Sequence, residues 1–375
     1  MSKLKLMTIL GTRPEIIRLS EVIKKCDEYF NNILVHTGQN WDYNLNDVFF
    51  KDLDLRKPDY FLNVVGEDLG ETIGNIISKT YKLMIKEKPD AILVLGDTNS
   101  CLSVISAKRL KIPIFHMEAG NRCYDINVPE EVNRKIVDVT SDVNLAYTEH
   151  ARRYLISEGI KKEYIFVTGS PLREVIERHI DRINSSNILE RLNLKTNKYI
   201  LVSAHREENI DNEKNFNCLI DSLNSVAAFY DMPIIYSTHP RSFKRIKKSK
   251  IKLDDRIQNV NPFGFFDYNK LQLEAFCVLS DSGSLAEESN IMGFPAISIR
   301  TSTERPEAVD KGTFILAGIR NENIINSINI ITNEKFLGER KIIANDYRDN
   351  NVSMKIVNII QGYTEIINRM LWRKN

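Results

Sequence analysis

The sequence lacks the marks of several protein classes. Its five cysteines (Cys26, Cys101, Cys123, Cys218 and Cys277) are odd in number, widely spaced and form no CxxC pair. That argues against a disulfide framework or a thiolate zinc site and fits a reducing cytoplasm. Cys101 and Cys277 stand in apolar surroundings and read as small buried hydrophobes. The six histidines include no HExxH and no close pair, so no metal site is expected. No apolar run approaches the roughly 20 residues of a membrane span, and Met1-Ser2-Lys3-Leu4 enters a short strand with no signal-peptide pattern. Neither sign of charge dominates: 52 basic residues against 50 acidic ones leave +2. Nucleic acid and anionic membranes are therefore not expected partners. The basic run Arg241–Lys250 is local and reads as a solvated helix face. No strand carries GxGxxG and no P-loop lysine occurs, so neither a usual dinucleotide site nor a P-loop is supported.

What is present is a regular alternation of short apolar runs and helical patterns. A chain of 375 residues exceeds one comfortable core, so two domains are expected. Leu4–Leu10, Asn32–Thr37, Ala91–Leu95, Ile114–Met117, Val143–Ala146 and Ile165–Val167 read as buried parallel strands. Helical spacing falls between them, over Glu15–Cys26, Leu69–Lys88, Asn99–Leu110, Glu131–Thr140 and Glu149–Glu158. The segment Thr148–Arg173 joins this half to a second. There Tyr199–Ser203, Ile234–Ser237, Ile257–Val260, Cys277–Ser280 and Ala296–Ile299 read as strands, with a clear helix at Phe216–Tyr230. Asn184–Asn197 is polar and reads as the loosest stretch. Val352–Asn368 is a final amphipathic helix. The pattern predicts an α/β protein with doubly wound parallel sheets. The expected divisions are 1–170, 171–351, and a C-terminal helix in 352–375 that packs back on the first domain.

In open α/β sheets, ligands bind beyond the carboxyl ends of the strands. The polar motifs sit at those ends. Gly11-Thr12-Arg13-Pro14-Glu15 turns from strand to helix; its backbone N–H groups, with Arg13 and Arg18, could hold an anion or form an ordinary turn with a solvated arginine. Ser282-Gly283-Ser284 opens the helix Leu285–Met292 and could cradle a diphosphate. Asp281 before it could simply cap that helix, and Glu288 within it could reach ribose hydroxyls or lie in solvent. Asp97, Glu118, Glu130, Glu131 and His205 are acid–base candidates, against the alternative of salt bridges to Arg122, Arg134 or Arg206. His116 reads as a packed core residue, His150 and His179 as surface helix residues, and His239 as a strand-end residue able to line a cleft.

In this order, GTRPE (11–15), GDT (96–98), HMEAGNR (116–122), PEEVNR (129–134), TGSP (168–171), AHREEN (204–209), DSGSLAEES (281–289) and TERPEAVDKGT (303–313) resemble the non-hydrolysing UDP-N-acetylglucosamine 2-epimerase family from end to end. The resemblance implies a GT-B fold: two Rossmann-like domains with an interdomain cleft, working without metal or nicotinamide cofactor, as a homodimer. It implies reversible inversion at C2 of a UDP-linked 2-acetamido sugar, by anti elimination of UDP to a 2-acetamidoglycal and re-addition. Carried over by position, Asp97, Glu118, Glu130 and His205 would be the catalytic acids and bases. Arg13, Ser282, Gly283, Glu288 and Arg305 would hold UDP, with Arg18, Arg206 and Ser284 beside them and Tyr268 near the uracil.

The sequence departs from the family pattern at four places. Arg18 replaces a lysine, Gly283-Ser284 replaces Gly-Gly, and Gly38-Gln39-Asn40-Trp41 replaces a Gly-Gln-His loop associated with a UDP-GlcNAc activator. The segment between Gly120 and Pro129 is short. These departures resemble the capsule and O-antigen branch, which converts UDP-2-acetamido-2,6-dideoxy-L-talose to UDP-N-acetyl-L-fucosamine. An apolar contact near Tyr124, Ile126 or Val128 would suit a 6-deoxy sugar. The alternatives are a UDP-N-acetylglucosamine/UDP-N-acetylmannosamine 2-epimerase, a GT-B glycosyltransferase, a hydrolysing epimerase, or an inactive nucleotide-sugar sensor.

Overall fold

The computed structural model describes residues 3–39, 43–126, 128–238, 245–246, 252–333 and 343–374, the side chains of 43–47, 207 and 208 excepted. Asn40, Trp41, Asn127, His239 and most of the Arg241–Lys250 run lie outside the described residues. Two compact units result: Met1–Glu177 with Arg348–Asn375, and Arg178–Tyr347.

The first unit is built on seven strands: β1 (Lys5–Leu10), β2 (Asn31–His36), β3 (Tyr60–Phe61), β4 (Ala91–Leu95), β5 (Ile114–Met117), β6 (Val143–Ala146) and β7 (Ile165–Val167). They pair in the order β3-β2-β1-β4-β5-β6-β7, all parallel. Every residue of β4 and β5 is buried, which is why these runs are apolar without alternation. The edge strand β3 is two residues long and paired through Val35↔Tyr60, too short to leave a periodic signature.

The second unit repeats the plan with β8 (Ile200–Ser203), β9 (Ile234–Ser237), β10 (Ile257–Val260), β11 (Cys277–Ser280), β12 (Ala296–Ser298) and β13 (Ile315–Leu316). Their order is β10-β9-β8-β11-β12-β13, again parallel. In each sheet the chain winds outward on one side and then returns to wind outward on the other. The reversal falls between β1 and β4 in the first sheet and between β8 and β11 in the second, and such switch points open a crevice at the strand ends.

The helix Val352–Met370 belongs to the first unit. Its apolar stripe, Val352, Ile356, Val357, Ile360 and Ile367, is buried, and it packs on the helix Arg13–Tyr29. Each such side chain contributes about 1.5–3 kcal/mol relative to exposure. Glu174 anchors its start by accepting hydrogen bonds from the backbone N–H and hydroxyl of Ser353. The helix Leu172–Arg178, which carries Glu174, is thereby held almost entirely in the first unit.

Three local expectations are corrected. The polar stretch Asn184–Asn197 contains a helical turn, Ile188–Arg191, whose Ile188 is fully buried in the core with Tyr199 and Leu271; one anchored apolar residue outweighs the polar composition around it. His179 is buried against Phe265 and Phe266 rather than exposed. The Asn99–Leu110 segment starts as a tight 3₁₀ turn, Asn99–Ser103, before the helix Val104–Arg109.

Candidate active site

In the first unit, the loops after β1, β4 and β5 carry the candidate residues. After β1 the chain turns at Gly11 into the helix Arg13–Tyr29, with Thr12 at its N-cap and Pro14 in its first turn. A Cβ on Gly11 would lie 2.1 Å from the hydroxyls of both Thr37 and Ser100, so only glycine fits this turn. Arg13 is exposed, its guanidinium 5.5 Å from the Phe49 ring centroid. After β4, Gly96 donates its N–H to Met117 O at 2.9 Å, joining the ends of β4 and β5.

Asp97 follows, half-buried. Its Oδ2 lies 2.7 Å from Nε of Arg134, and Arg134 also bonds Glu131 at 3.0 Å. After β5 comes Glu118, buried and with φ +63. A left-handed backbone at a non-glycine residue costs about 1–3 kcal/mol and persists only where the surroundings over-determine it. Here Arg18 Nη1 lies 2.9 Å from Glu118 Oε2, and Asn121 donates to Oε1 at 3.2 Å. Asp97 and Glu118 leave neighbouring strand ends, since Leu95 pairs with Met117; burial pushes the Cys101 thiol well above its ordinary range, and the charges of Glu15, Asp97 and Glu118 all push it the same way.

The adjacent pair Glu130 and Glu131 divide sharply. Glu130 is exposed on the first turn of the helix Pro129–Thr140, while Glu131 is fully buried and accepts from Cys123 N and Arg134. Behind the loops, Asp138 gathers Gly120 N–H at 3.2 Å and Arg122 Nη2 at 2.7 Å, with His116 Nδ1 3.0 Å away. His116 Nε2 lies 2.8 Å from Gly96 O and so donates to it. His116 is thus a core residue that also supports the loop carrying Asp97.

In the second unit, the loops after β8 and β11 meet across the switch point. Asp281, fully buried, does not cap the helix that follows. It accepts from the backbone N–H of His205 at 3.0 Å, from that of Arg206 at 3.0 Å, and from Asn209 Nδ2 at 3.1 Å. His205 Nδ1 lies 3.3 Å from Asp281 Oδ1, while the imidazole keeps 43% of its surface exposed. Arg206 donates to Asp281 O and approaches Glu304 at 3.5 Å; Glu304 is itself held by Arg300 through two bonds. Ser282 and Ser284 share a hydroxyl hydrogen bond of 3.0 Å at the start of the helix Leu285–Met292. A Cβ on Gly283 would meet only Glu304 at 3.6 Å and Arg206 at 3.9 Å, ordinary contacts.

Glu288 is half-buried and accepts from Gln272 at 2.6 Å. Tyr268 is half-buried in the helix Phe265–Glu274. Arg305 is buried, its guanidinium 2.9 Å from Glu287. Among the candidates, Asp97, Glu118 and Arg18 therefore come together in one unit, and His205, Arg206, Ser282, Gly283 and Ser284 in the other. Reading by residue type left Glu15, Asp138, Asp281 and Glu304 without a site role. All four are buried carboxylates that organise loops, and their only signal was a place inside a strand-end motif or, for Asp138, in the helix behind one. Among the described residues, no cluster of three or more His, Cys, Asp or Glu could hold a metal ion. Nor is any described helix long and apolar enough to cross a membrane.

Two parallel sheets, each with polar loops at its switch point, define an α/β protein of the GT-B class, and solved structures share its fold across nearly the whole chain. A family model described as UDP-N-acetylglucosamine 2-epimerase matches residues 24–361, and the chain belongs to that family. It is accordingly a carbohydrate epimerase acting on a UDP-sugar. It is similar to the solved structure of UDP-N-acetylglucosamine 2-epimerase from Rickettsia bellii, at 47% identity and TM-score 0.92 over 99% of this chain and 100% of that one. The Methanocaldococcus jannaschii UDP-GlcNAc 2-epimerase, solved in complex with UDP-GlcNAc and UDP, is 35% identical with TM-score 0.88, over 96% and 100%. The UDP-2,3-diacetamido-2,3-dideoxy-D-glucuronate 2-epimerase of Pseudomonas aeruginosa is 32% identical over 329 residues, 86% of this chain and 91% of that protein.

Proposed function

We propose that this protein inverts C2 of a UDP-linked 2-acetamido sugar, and that the sugar is UDP-2-acetamido-2,6-dideoxy-L-talose, converted to UDP-N-acetyl-L-fucosamine. The observation that carries the reaction class is Glu118: a buried carboxylate held in a left-handed backbone, paired with Arg18, at the strand end next to the one that leads to Asp97. In the proposed reaction the C1–O bond to UDP breaks with its electron pair leaving on the diphosphate. The C2–H proton goes to a protein base, and the electrons of that bond form C1=C2. Reversing these steps with the proton delivered to the other face gives the epimer. No external oxidant is consumed.

Asp97, Glu118, Glu130 and His205 take the acid and base roles, one group being needed for each face of C2. A C2 proton beside an acetal carbon is weakly acidic, so departure of the diphosphate must build positive charge at C1 before the proton is removable. Arg13, Arg206, Arg305 and the Ser282–Ser284 turn serve the diphosphate, with Glu288 at the ribose and Tyr268 at the uracil. The 6-deoxy sugar is supported by the short segment after Gly120, where Tyr124 and Ile126 are 62% and 76% exposed, an apolar pair suited to a methyl group.

A second reading, the UDP-N-acetylglucosamine/UDP-N-acetylmannosamine interconversion, is favoured by the names of the Rickettsia and Methanocaldococcus relatives. Incubation with each UDP-sugar in D2O, followed by NMR at C2, tests both. Deuterium at C2 with the UDP linkage retained is the expected result, faster for the 6-deoxy substrate. Exchange with UDP-N-acetylglucosamine alone selects the second reading. Exchange with neither, or release of free sugar, ends the proposal.

A further inference from the structure

Glu15 is a buried carboxylate to which the proposed chemistry assigns nothing. It is 1% exposed and stands three residues after the N-cap Thr12, the position where a glutamate closes a capping box. Its Oε2 accepts from Gly11 N at 3.1 Å and Thr12 Oγ1 at 2.7 Å. A capping role ends there. Oε1, however, accepts from Thr98 Oγ1 at 3.2 Å, on the loop after β4 and next to Asp97. One carboxylate therefore spans the switch point of the first sheet. The two loops also interlock sterically, since Gly11 has no room for a side chain against Ser100.

We propose that Glu15 is a positioning residue for the epimerisation, acting in its ionised form through Thr98 on Asp97 and through Gly11 and Thr12 on Arg13. The proposal rests on the reaction assigned above. The Gly11 N–H can only donate, while the Thr12 and Thr98 hydroxyls can donate or accept. A protonated carboxyl therefore keeps its link to Thr98 only as a neutral hydrogen bond, weaker than the charge-assisted bond that the carboxylate accepts. Glu15, Asp97 and Glu118 all act on the Cys101 thiol, and Arg18 brings a positive charge to Glu118. Burial pushes the Glu15 carboxyl up to about 7, with hydrogen bonds from Thr12, Gly11 and Thr98 opposing. The link between the loops is thus charge-assisted above about pH 7 and weaker below it.

The test is the pH dependence of C2 deuterium exchange in wild type, Glu15→Gln, Thr98→Val and Thr98→Ser. Wild-type kcat is expected to fall as pH drops through about 7. Glu15→Gln should be about tenfold slower at pH 8 and lose that acid limb, with KM and UDP affinity within about twofold. Thr98→Val, which removes one donor from the carboxylate, should move the limb upward, and Thr98→Ser should restore it. A Glu15→Gln enzyme with wild-type kcat and limb overturns the proposal, as does one that slows without losing the limb, because Glu15 is then only a helix cap. An independent reading needs neither activity nor the Gln variant: ¹³C-carboxyl NMR of the glutamates should show one titrating near neutrality, moved upward in Thr98→Val. No such signal between about pH 6 and 8 also overturns it. Absence of exchange in the wild type would instead remove the underlying reaction.

Discussion

Arg18 Nη1 lies 2.9 Å from Glu118 Oε2, with 11% and 8% of the two side chains exposed. A buried carboxylate left without its cation is strongly disfavoured, so removing Arg18 should push Glu118 toward the neutral acid, a form that cannot accept a proton. Arg18→Met is expected to slow C2 exchange by about a hundredfold at neutral pH, with Arg18→Lys in between. Calorimetric titration with UDP separates two roles for this arginine. Affinity kept within about threefold places its effect on Glu118. A collapse in affinity places it on the diphosphate.

Glu118→Gln keeps an acceptor for Asn121 and the shape of the side chain while removing the charge. UDP binding should remain nearly intact and deuterium incorporation at C2 should be abolished. If UDP binding is lost as well, Glu118 is a structural residue.

Asp281 collects two backbone N–H groups and the Asn209 amide in a fully buried position. Asp281→Asn replaces one accepting oxygen with an NH₂ that faces donors, a loss of about 1–3 kcal/mol for each donor left unsatisfied. The 205–206 turn should loosen. A lower melting temperature together with reduced kcat and weaker UDP binding is expected. An unchanged kcat would show that His205 does not depend on this support.

His36 is buried, stacks on Phe61 at 4.8 Å, and accepts from Gly38 N through Nδ1 at 3.0 Å, so the ring is neutral. Burial pushes it down to about 4. The unfolded chain binds a proton near pH 6.5 that the folded protein refuses until about pH 4, so stability rises with pH between those values. Glu15, raised to about 7, contributes the opposite slope between about pH 4.5 and 7, so the His36 slope is read in chemical denaturation from pH 4 to 8 as the difference between wild type and His36→Phe. His36→Phe should also lower stability by about 1 kcal/mol at neutral pH, for the acceptor lost to Gly38.

Gly120 has φ +81, and a Cβ there would lie 2.5 Å from Ala151 O. Gly120→Ala is expected to destabilise the protein by at least about 2 kcal/mol and to displace Glu118, measured as a lower denaturation midpoint with slower C2 exchange. Gly96→Ala provides the contrast: its φ is +79 but no atom lies within 4 Å, so only the backbone strain applies, about 1 kcal/mol.

The parallel sheets were legible because fully buried strands such as Ala91–Leu95 and Cys277–Ser280 are continuous apolar runs, and each ends in a glycine or acidic turn. Short edge strands were not legible. Tyr60–Phe61 and Ile315–Leu316 exist only through their neighbours, and two residues carry no period. The same division runs through the site. Residue type and strand-end position alone marked Asp97, Glu118 and His205 as acid–base candidates. Which partner each carboxylate takes was undetermined in one dimension, where Arg122, Arg134 and Arg206 were interchangeable. Packing assigned Arg134 to Asp97, Arg18 to Glu118, Arg122 to Asp138 and Arg206 to the neighbourhood of Glu304. Adjacent Glu130 and Glu131 are chemically identical in sequence, and only the helix face each occupies exposes one and buries the other. The sequence by itself determined the buried strands, the longer helices and the chemistry available at their ends, because these depend on local pattern and residue type. Burial and pairing depend on which distant loops the sheet order brings together, and only the tertiary structure decided them.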